Sequence, residues 1–308
     1  MTPDKLHVIA VRTNPLRWQN PDAIYRNWVD HMIDSGISLT VIECQFGERP
    51  FNCRDGRVNH VGVRARTQLW SKENLINLAI SRLPQDWRYL AWIDSDVFFR
   101  RSQWASDTIQ ALQLHHVVQP WSDCYDLGPN DEHMAAHRSF CRVYRDRKPI
   151  MQGPNAGHAA YQFAHPGFAW AATRQALEWV GGMIETAALG AGDHHMAMAL
   201  IGRVGDSIHG GMTEGYNRPL RQWQDRAMRH IAGHINYVPG TIEHRFHGRK
   251  EDRAYAGRWD ILARHRFDPY EDMKRNLDGV FELTGNKPQL QRDMESYFCA
   301  RNEDINAI

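Results

Sequence analysis

Two carboxylates two residues apart, Asp94 and Asp96, stand at the end of the apolar run Tyr89–Ile93, with Ser95 between them and the apolar trio Val97–Phe99 directly after. On extended backbone, side chains at that spacing point to the same face. Acids held between apolar runs are costly to desolvate unless a positive group lies against them. A hard divalent cation, Mg²⁺ or Mn²⁺, meets that need, because it takes oxygen ligands and leaves positions open for a phosphate. The competing reading has Asp94 opening a turn and Asp96 solvated. The flanking apolar residues weigh against it, since they leave little surface for both acids.

Two further stretches carry chemistry. In Gly190-Ala191-Gly192-Asp193-His194-His195, an acid opens a helix whose buried stripe is Met196, Leu200 and Ile201. Asp193 caps or opens that helix, with His194 directly after it. Later, Thr241 to Lys250 holds His244 and His247, then Gly248, Arg249 and Lys250, with Arg253, Tyr255 and Arg258 beyond. A spacing of three on a strand puts the two histidines on opposite faces unless the chain bends. The basic cluster either meets an anion or forms a solvated helix face.

The elements that must position these residues alternate in the manner of β-α-β units. Leu6–Val11 is strand-like and ends in the loop Arg12-Thr13-Asn14-Pro15, at the edge where open α/β sheets bind ligands. Ala23–Ile33 has helical periodicity closed by Ser35-Gly36. Ser38–Cys44 and Val58–Val63 read as strands. A helix capped by Ser71 carries Lys72 in its first turn, where a cation opposes the helix dipole and an anionic ligand would explain it. Ser102–Leu114 reads as a helix, His116–Pro120 as a strand, and residues 121–162 as a long loop or lid, with Gly128-Pro129-Asn130 and Gly153-Pro154-Asn155 as breakers. A strand of small and aromatic residues follows from His165, then a helix Tyr216–Ile231 and a strand Ile235–Val238. Beyond Phe267 two short helices are expected.

Composition narrows the class. Net charge is +1 over 308 residues, which does not favour a strongly electrostatic nucleic-acid binder. The five cysteines form no Cys-x-x-Cys, so neither a disulfide framework nor a structural zinc site is indicated. No Gly-x-Gly-x-x-Gly follows the first strand and no P-loop occurs. No apolar run approaches ~18 residues, so a cytoplasmic protein with no membrane association is expected. Nothing in the chain calls for an obligate protein partner.

An α/β half with a lysine- and asparagine-bearing helix, followed by a strand ending in Asp-Ser-Asp, resembles the GT-A glycosyltransferases. That resemblance implies a GT-A, Rossmann-like fold: a mostly parallel central sheet flanked by helices over residues 1–265, divided into a nucleotide-sugar half (1–120) and an acceptor half (121–265), with a C-terminal helical extension (266–308). It implies a metal-dependent transfer of sugar from a nucleotide sugar, most simply a UDP-sugar, with Mn²⁺ or Mg²⁺ on the diphosphate. Asp94, Asp96 and a late histidine, His247 before His244, would hold the ion. Arg12, Thr13, Asn14, Lys72, Asn74, Ser95, Arg249 and Lys250 would contact the donor, and Asp193 or His194 the acceptor hydroxyl. The acceptor is expected to be a saccharide or small molecule. A hydroxymethylated base in DNA, flipped out onto Trp121, Tyr125 or Tyr161, is the alternative. A nucleotidyltransferase and a non-catalytic sugar- or nucleic-acid-binding relative are the other classes left open.

Overall fold

The computed structural model describes residues 4–150, 164–253 and 257–304. The chain opens with β1 (Leu6–Thr13), α1 (Gln19–Asp34), β2 (Ser38–Phe46), β3 (Asn59–Ala65), α2 (Lys72–Ile80) and β4 (Tyr89–Ile93). Strands β3, β2, β1 and β4 lie side by side and parallel. The inner strands β1, β2 and β4 are near-continuous apolar runs because helices cover both faces; Val8, Ala10, Val41 and Ile42 are all fully buried, and the edge strand β3 is more polar. Helix α1 starts earlier than its periodicity suggested. Pro21 lies in its first turn, where a missing N–H is no loss.

After β5 (Val97–Phe99), α3 (Trp104–Leu114) and β6 (Val117–Gln119), the stretch expected as a loop instead holds β7 (Asp123–Leu127), β8 (His133–Arg138) and α4 (Phe140–Arg145). Its polar, alternating sequence is that of a hairpin whose outer strand faces solvent. Gly128-Pro129-Asn130 is the hairpin turn, with Asp131 N donating to Gly128 O at 3.1 Å. Gly153-Pro154-Asn155 and Tyr161 lie outside the described residues. The chain continues through β9 (Ala169–Thr173), α5 (Arg174–Val180), α6 (Gly192–Leu200), α7 (Glu214–His230), β10 (Ile235–Tyr237) and β11 (Thr241–His244). It closes with α8 (Gly257–Arg264), α9 (Pro269–Asp272), β12 (Met273–Arg275), β13 (Phe281–Leu283) and α10 (Pro288–Ala300). The extension beyond residue 266 is therefore not purely helical: β12 and β13 pair as an antiparallel hairpin.

The central sheet has seven strands in the order β10-β6-β9-β4-β1-β2-β3, and only β9 runs against its neighbours. Helices α1 and α3 pack on one face through Trp28 and Trp104, and α2, α5, α6 and α7 on the other. Leu290, Met294 and Phe298 of α10 join that second core, so the extension shares the interior of the domain. The mostly parallel α/β architecture expected from the resemblance is the one the chain adopts. From β1 the chain winds outward to β2 and β3, whereas β4 lies on the other side of β1. Open α/β sheets place ligands at such a reversal, beyond the carboxyl ends of the strands. Arg12 lies there, one residue before the end of β1, and Asp94 directly follows β4.

A second sheet, ordered β5-β11-β7-β8, stands over this edge. Its registers set the site: His244 lies opposite Val97 across the antiparallel β5–β11 pair and opposite Asp126 across the parallel β11–β7 pair.

Candidate active site

Asp94 and Asp96 part company. Asp94 turns toward α2 and pairs with the ammonium of Lys72. Asp96 turns toward the late segment, where its Oδ2 lies 2.9 Å from His247 Nε2 and 3.8 Å from His244 Nε2. One ligand atom from each of Asp96, His244 and His247 falls within 4.8 Å of the others. Of the two expected metal-binding acids, Asp94 has its counter-charge in Lys72, whereas Asp96 faces the two histidines. Of the two late histidines, His247 lies nearer to Asp96 and His244 also reaches it. Strand β11 ends at His244, and Arg245 N donates to the carbonyl of Asp96 at 2.9 Å, so the bend that follows brings His247 round to the same side.

Each histidine is backed by an acid on its far nitrogen. His244 Nδ1 lies 2.8 Å from Asp126 Oδ1, and His247 Nδ1 lies 3.7 Å from Glu303 Oε2. The Asp126 carboxylate on Nδ1 favours the His244 tautomer that leaves Nε2 to ligate, the usual outer arrangement of metal-binding histidines; Glu303 faces His247 at ion-pair distance, and His247 Nε2 also lies 3.1 Å from Arg253 Nη2. Asp96 Oδ1 is buried with no hydrogen-bond donor against it among the described residues, an expensive state for an acid unless a cation completes it. The residues present therefore fit a divalent ion. Two imidazoles with one carboxylate suit Mn²⁺ better than Mg²⁺, which prefers oxygen throughout.

The electrostatics agree. Burial alone would raise the Asp96 carboxyl, but His244, His247 and Arg253 hold it well below the usual range. His244 is pushed down by burial, with Asp96 and Asp126 only partly opposing, which favours the neutral, ligating imidazole. His247 is opposed by burial and by Arg253, yet Asp96 and Glu303 carry it above its ordinary value. Without an ion, a proton on that ring serves Asp96, and metal binding displaces such protons. For Glu303, burial is outweighed by His247 and Arg301, which bring it down to about 2.

A second group of charges adjoins the first. Lys72 is opposed by burial but raised by Asp94, Asp193 and Glu73 together. Asp94 is raised by burial, which the Lys72 ammonium counters and Asp96 reinforces. Glu73 is nearly fully buried beneath the start of α6 and is pushed up to about 8, mainly by burial. A Cβ at Gly192 would lie 2.4 Å from its carboxyl, so only glycine lets α6 approach α2 this closely. Asp193 takes up the expected position at the head of α6. Its Oδ1 accepts from His194 N at 2.7 Å, and its Oδ2 lies against the backbone of Gly167, next to the Phe168 carbonyl that accepts from Asp94 N. His194 is held down by burial, with Asp193 opposing.

On the far side of β1 a cleft of about 240 Å³ is lined by Arg12, Thr13, Asn14, Arg49, Asn52 and Cys53 among others. Arg12 donates to Ser95 Oγ at 3.1 Å and pairs with Asp22 at 2.6 Å, which ties this cleft to the Asp-Ser-Asp turn. Glu43 forms its floor and accepts from Gln45 Nε2, Asn52 N and Cys53 N.

Three expected donor contacts are placed elsewhere. Asn74 is fully buried and holds the C-terminal hairpin, accepting from Phe281 N at 3.1 Å and donating to Glu185. Lys250 is bound to Asp126 and neighbours His137, so its charge goes to the acid behind His244. Arg249 is exposed at the surface. For the flipped-base reading, Trp121 is fully buried with its indole N–H on Ala169 O, so it has no face to offer a base. Tyr125 is stacked on His133. Asp126, Glu43, Glu73 and Glu303 were missed. For Asp126 a faint signal existed, an acid between Cys124 and Leu127 in apolar surroundings. Glu303 had none.

No family model matches the chain, and no curated protein does. Solved structures with a similar course include a Drosophila β1,4-galactosyltransferase 7 mutant in complex with manganese, UDP-Gal and xylobiose, at 11% identity and a TM-score of 0.45 over 93% of this chain and 97% of that one. Glucosyl-3-phosphoglycerate synthase from Mycobacterium tuberculosis with Mg²⁺ and uridine diphosphate follows, at 12% identity and 0.43 over 91% and 87%. A 4-diphosphocytidyl-2C-methyl-D-erythritol synthase from Anaerococcus prevotii reaches 10% identity and 0.34 over 77% and 89%. Likenesses this slight leave the chemistry of the chain to its own residues.

Proposed function

We propose that the protein is a metal-dependent glycosyltransferase that moves a sugar from a nucleotide sugar, most simply a UDP-sugar, to a hydroxyl of a saccharide or small acceptor. The observation that carries this reading is the convergence of Asp96, His244 and His247 into one ligand group at the carboxyl edge of the sheet, beside Lys72 and Asp193. A divalent ion bound there, Mn²⁺ by the donor set, would neutralise a diphosphate as it leaves the sugar. Lys72 is kept protonated by its acidic neighbours, and a diphosphate arriving beside Asp94 would share its ammonium as a second counter-ion. The cleft at Arg12, Thr13 and Asn14 has the size and polar lining to seat a nucleoside, and Arg12 links it to the Asp-Ser-Asp turn. Asp193, with one oxygen on its own helix, has a second oxygen to take the acceptor's proton as the new bond forms.

The named neighbours that were solved with manganese or magnesium and uridine nucleotides are consistent with this reading and add nothing to the residues. Transfer to a DNA base receives less support, because buried Trp121 cannot stack a base. The test is a thermal-shift panel of nucleotide sugars with and without Mn²⁺, followed by product analysis with the donor that responds. The expected result is a donor-specific shift that needs the metal and disappears in Asp96→Ala. Shifts of equal size without metal would reject the mechanism.

A further inference from the structure

The segment after α10 returns across the whole domain to the back of His247. Asp304, 285 residues from Gln19 in sequence, accepts from Gln19 N at 3.0 Å and Asn20 N at 2.8 Å. It thereby caps α1, whose own N-cap residue, Trp18, makes no side-chain cap bond. Asn20 Nδ2 donates to the carbonyl of Phe246 at 3.0 Å, so the same helix end also grips the residue before His247. Arg301 pairs with Glu303 Oε1 at 2.6 Å and stacks its guanidinium 4.9 Å from the ring of Trp70. The tail then crosses directly over Gly248, whose φ is +91°. A Cβ there would lie 3.0 Å from both Asn302 O and Glu303 Cα. The glycine after His247 is required twice, by its left-handed backbone and by the strand of chain above it.

What this arrangement delivers is Glu303 Oε2, facing His247 Nδ1 from a position only 14% exposed. Building on the metal site argued above, we propose that residues 301–304 form a strap that presets the metal site, with Glu303 as a positioning residue for His247. Arg301 and Asp304 hold the strap at its two ends. Glu303 orients the imidazole so that Nε2 faces Asp96. Asp126 does the same for His244 from within the small sheet, so one ligand is set by strand register and the other by the chain's return.

The test is calorimetric titration of the full-length protein with MnCl₂, in the absence of any donor, alongside far-UV circular dichroism. Glu303→Ala is expected to keep the wild-type spectrum and to bind Mn²⁺ on the order of 10- to 100-fold more weakly, the usual effect of removing a carboxylate behind a ligating histidine. Glu303→Gln keeps the side chain's length and an oxygen turned toward Nδ1 but gives up the charge that pairs with His247, and it is expected to recover part of that loss, which a merely structural role would not produce. It also stands in should the alanine variant fail to fold. Asp96→Ala separates the two readings. If wild type binds Mn²⁺, Asp96→Ala does not, and both Glu303 variants bind like wild type, the strap proposal is overturned while the metal site stands. If wild type binds no Mn²⁺, the metal site fails and the strap falls with it.

Discussion

Asp96 illustrates how a single side chain acquires a function from its surroundings. Its neighbour Asp94 is chemically identical and two residues away, yet Lys72 neutralises one and two histidines face the other. The same logic makes Glu73 a sensor of its own burial. Its folded-state value of about 8 lies above the ordinary 4.5, so the stability attached to its neutral form is complete below pH 4.5 and is lost as pH rises through about 8. Glu73→Gln removes that dependence. The variant is expected to melt close to wild type near pH 5 and several degrees above it near pH 8.5. Thermal melts at the two pH values check this, and an equal difference at both would show that the buried carboxyl is not the source.

Elements place these residues through contacts that no single segment contains. Strand β5 begins one residue after Asp96, and its Val97 carbonyl accepts from the indole of fully buried Trp28 on α1 at 2.9 Å. Trp28→Phe leaves that carbonyl without its donor and is expected to cost about 1–3 kcal/mol. Urea unfolding measures the loss, and a change below about 0.5 kcal/mol would mean that another donor replaces the indole. The cap on α1 makes a parallel case. Asp304→Ala is expected to cost about 1 kcal/mol in the same measurement, as removal of a capping carboxylate does. It acts on the opposite end of the chain from the residue changed, so hydrogen exchange at Gln19 and Asn20 should speed up. Unchanged exchange there would deny the cap.

The whole molecule packs Asp304 against the start of α1 beside the sheet edge, and an ion bound at the proposed site would report on that assembly. Mn²⁺ at 100 times its dissociation constant is expected to add about 2.7 kcal/mol to stability by mass action. Mg²⁺ at equal concentration should add far less, because imidazole ligands suit it poorly. Differential scanning fluorimetry with each ion and with chelator decides the matter, and equal shifts for both ions would contradict the histidine-rich site. Adjacency and period were enough to read the parallel α/β half, the strand ending in Asp-Ser-Asp and the helix that opens at Asp193, because each is a local pattern with a local cause. The hairpin of β7 and β8, the divergence of Asp94 from Asp96, the backing of His244 by Asp126 and the return of Glu303 to His247 were not legible. His244 and Asp126 are 118 residues apart, and sheet register brings them together; Glu303 reaches His247 because the terminal helix docks on the second core. Such pairings depend on how the closed domain satisfies its buried charges, and no short window of residues records that.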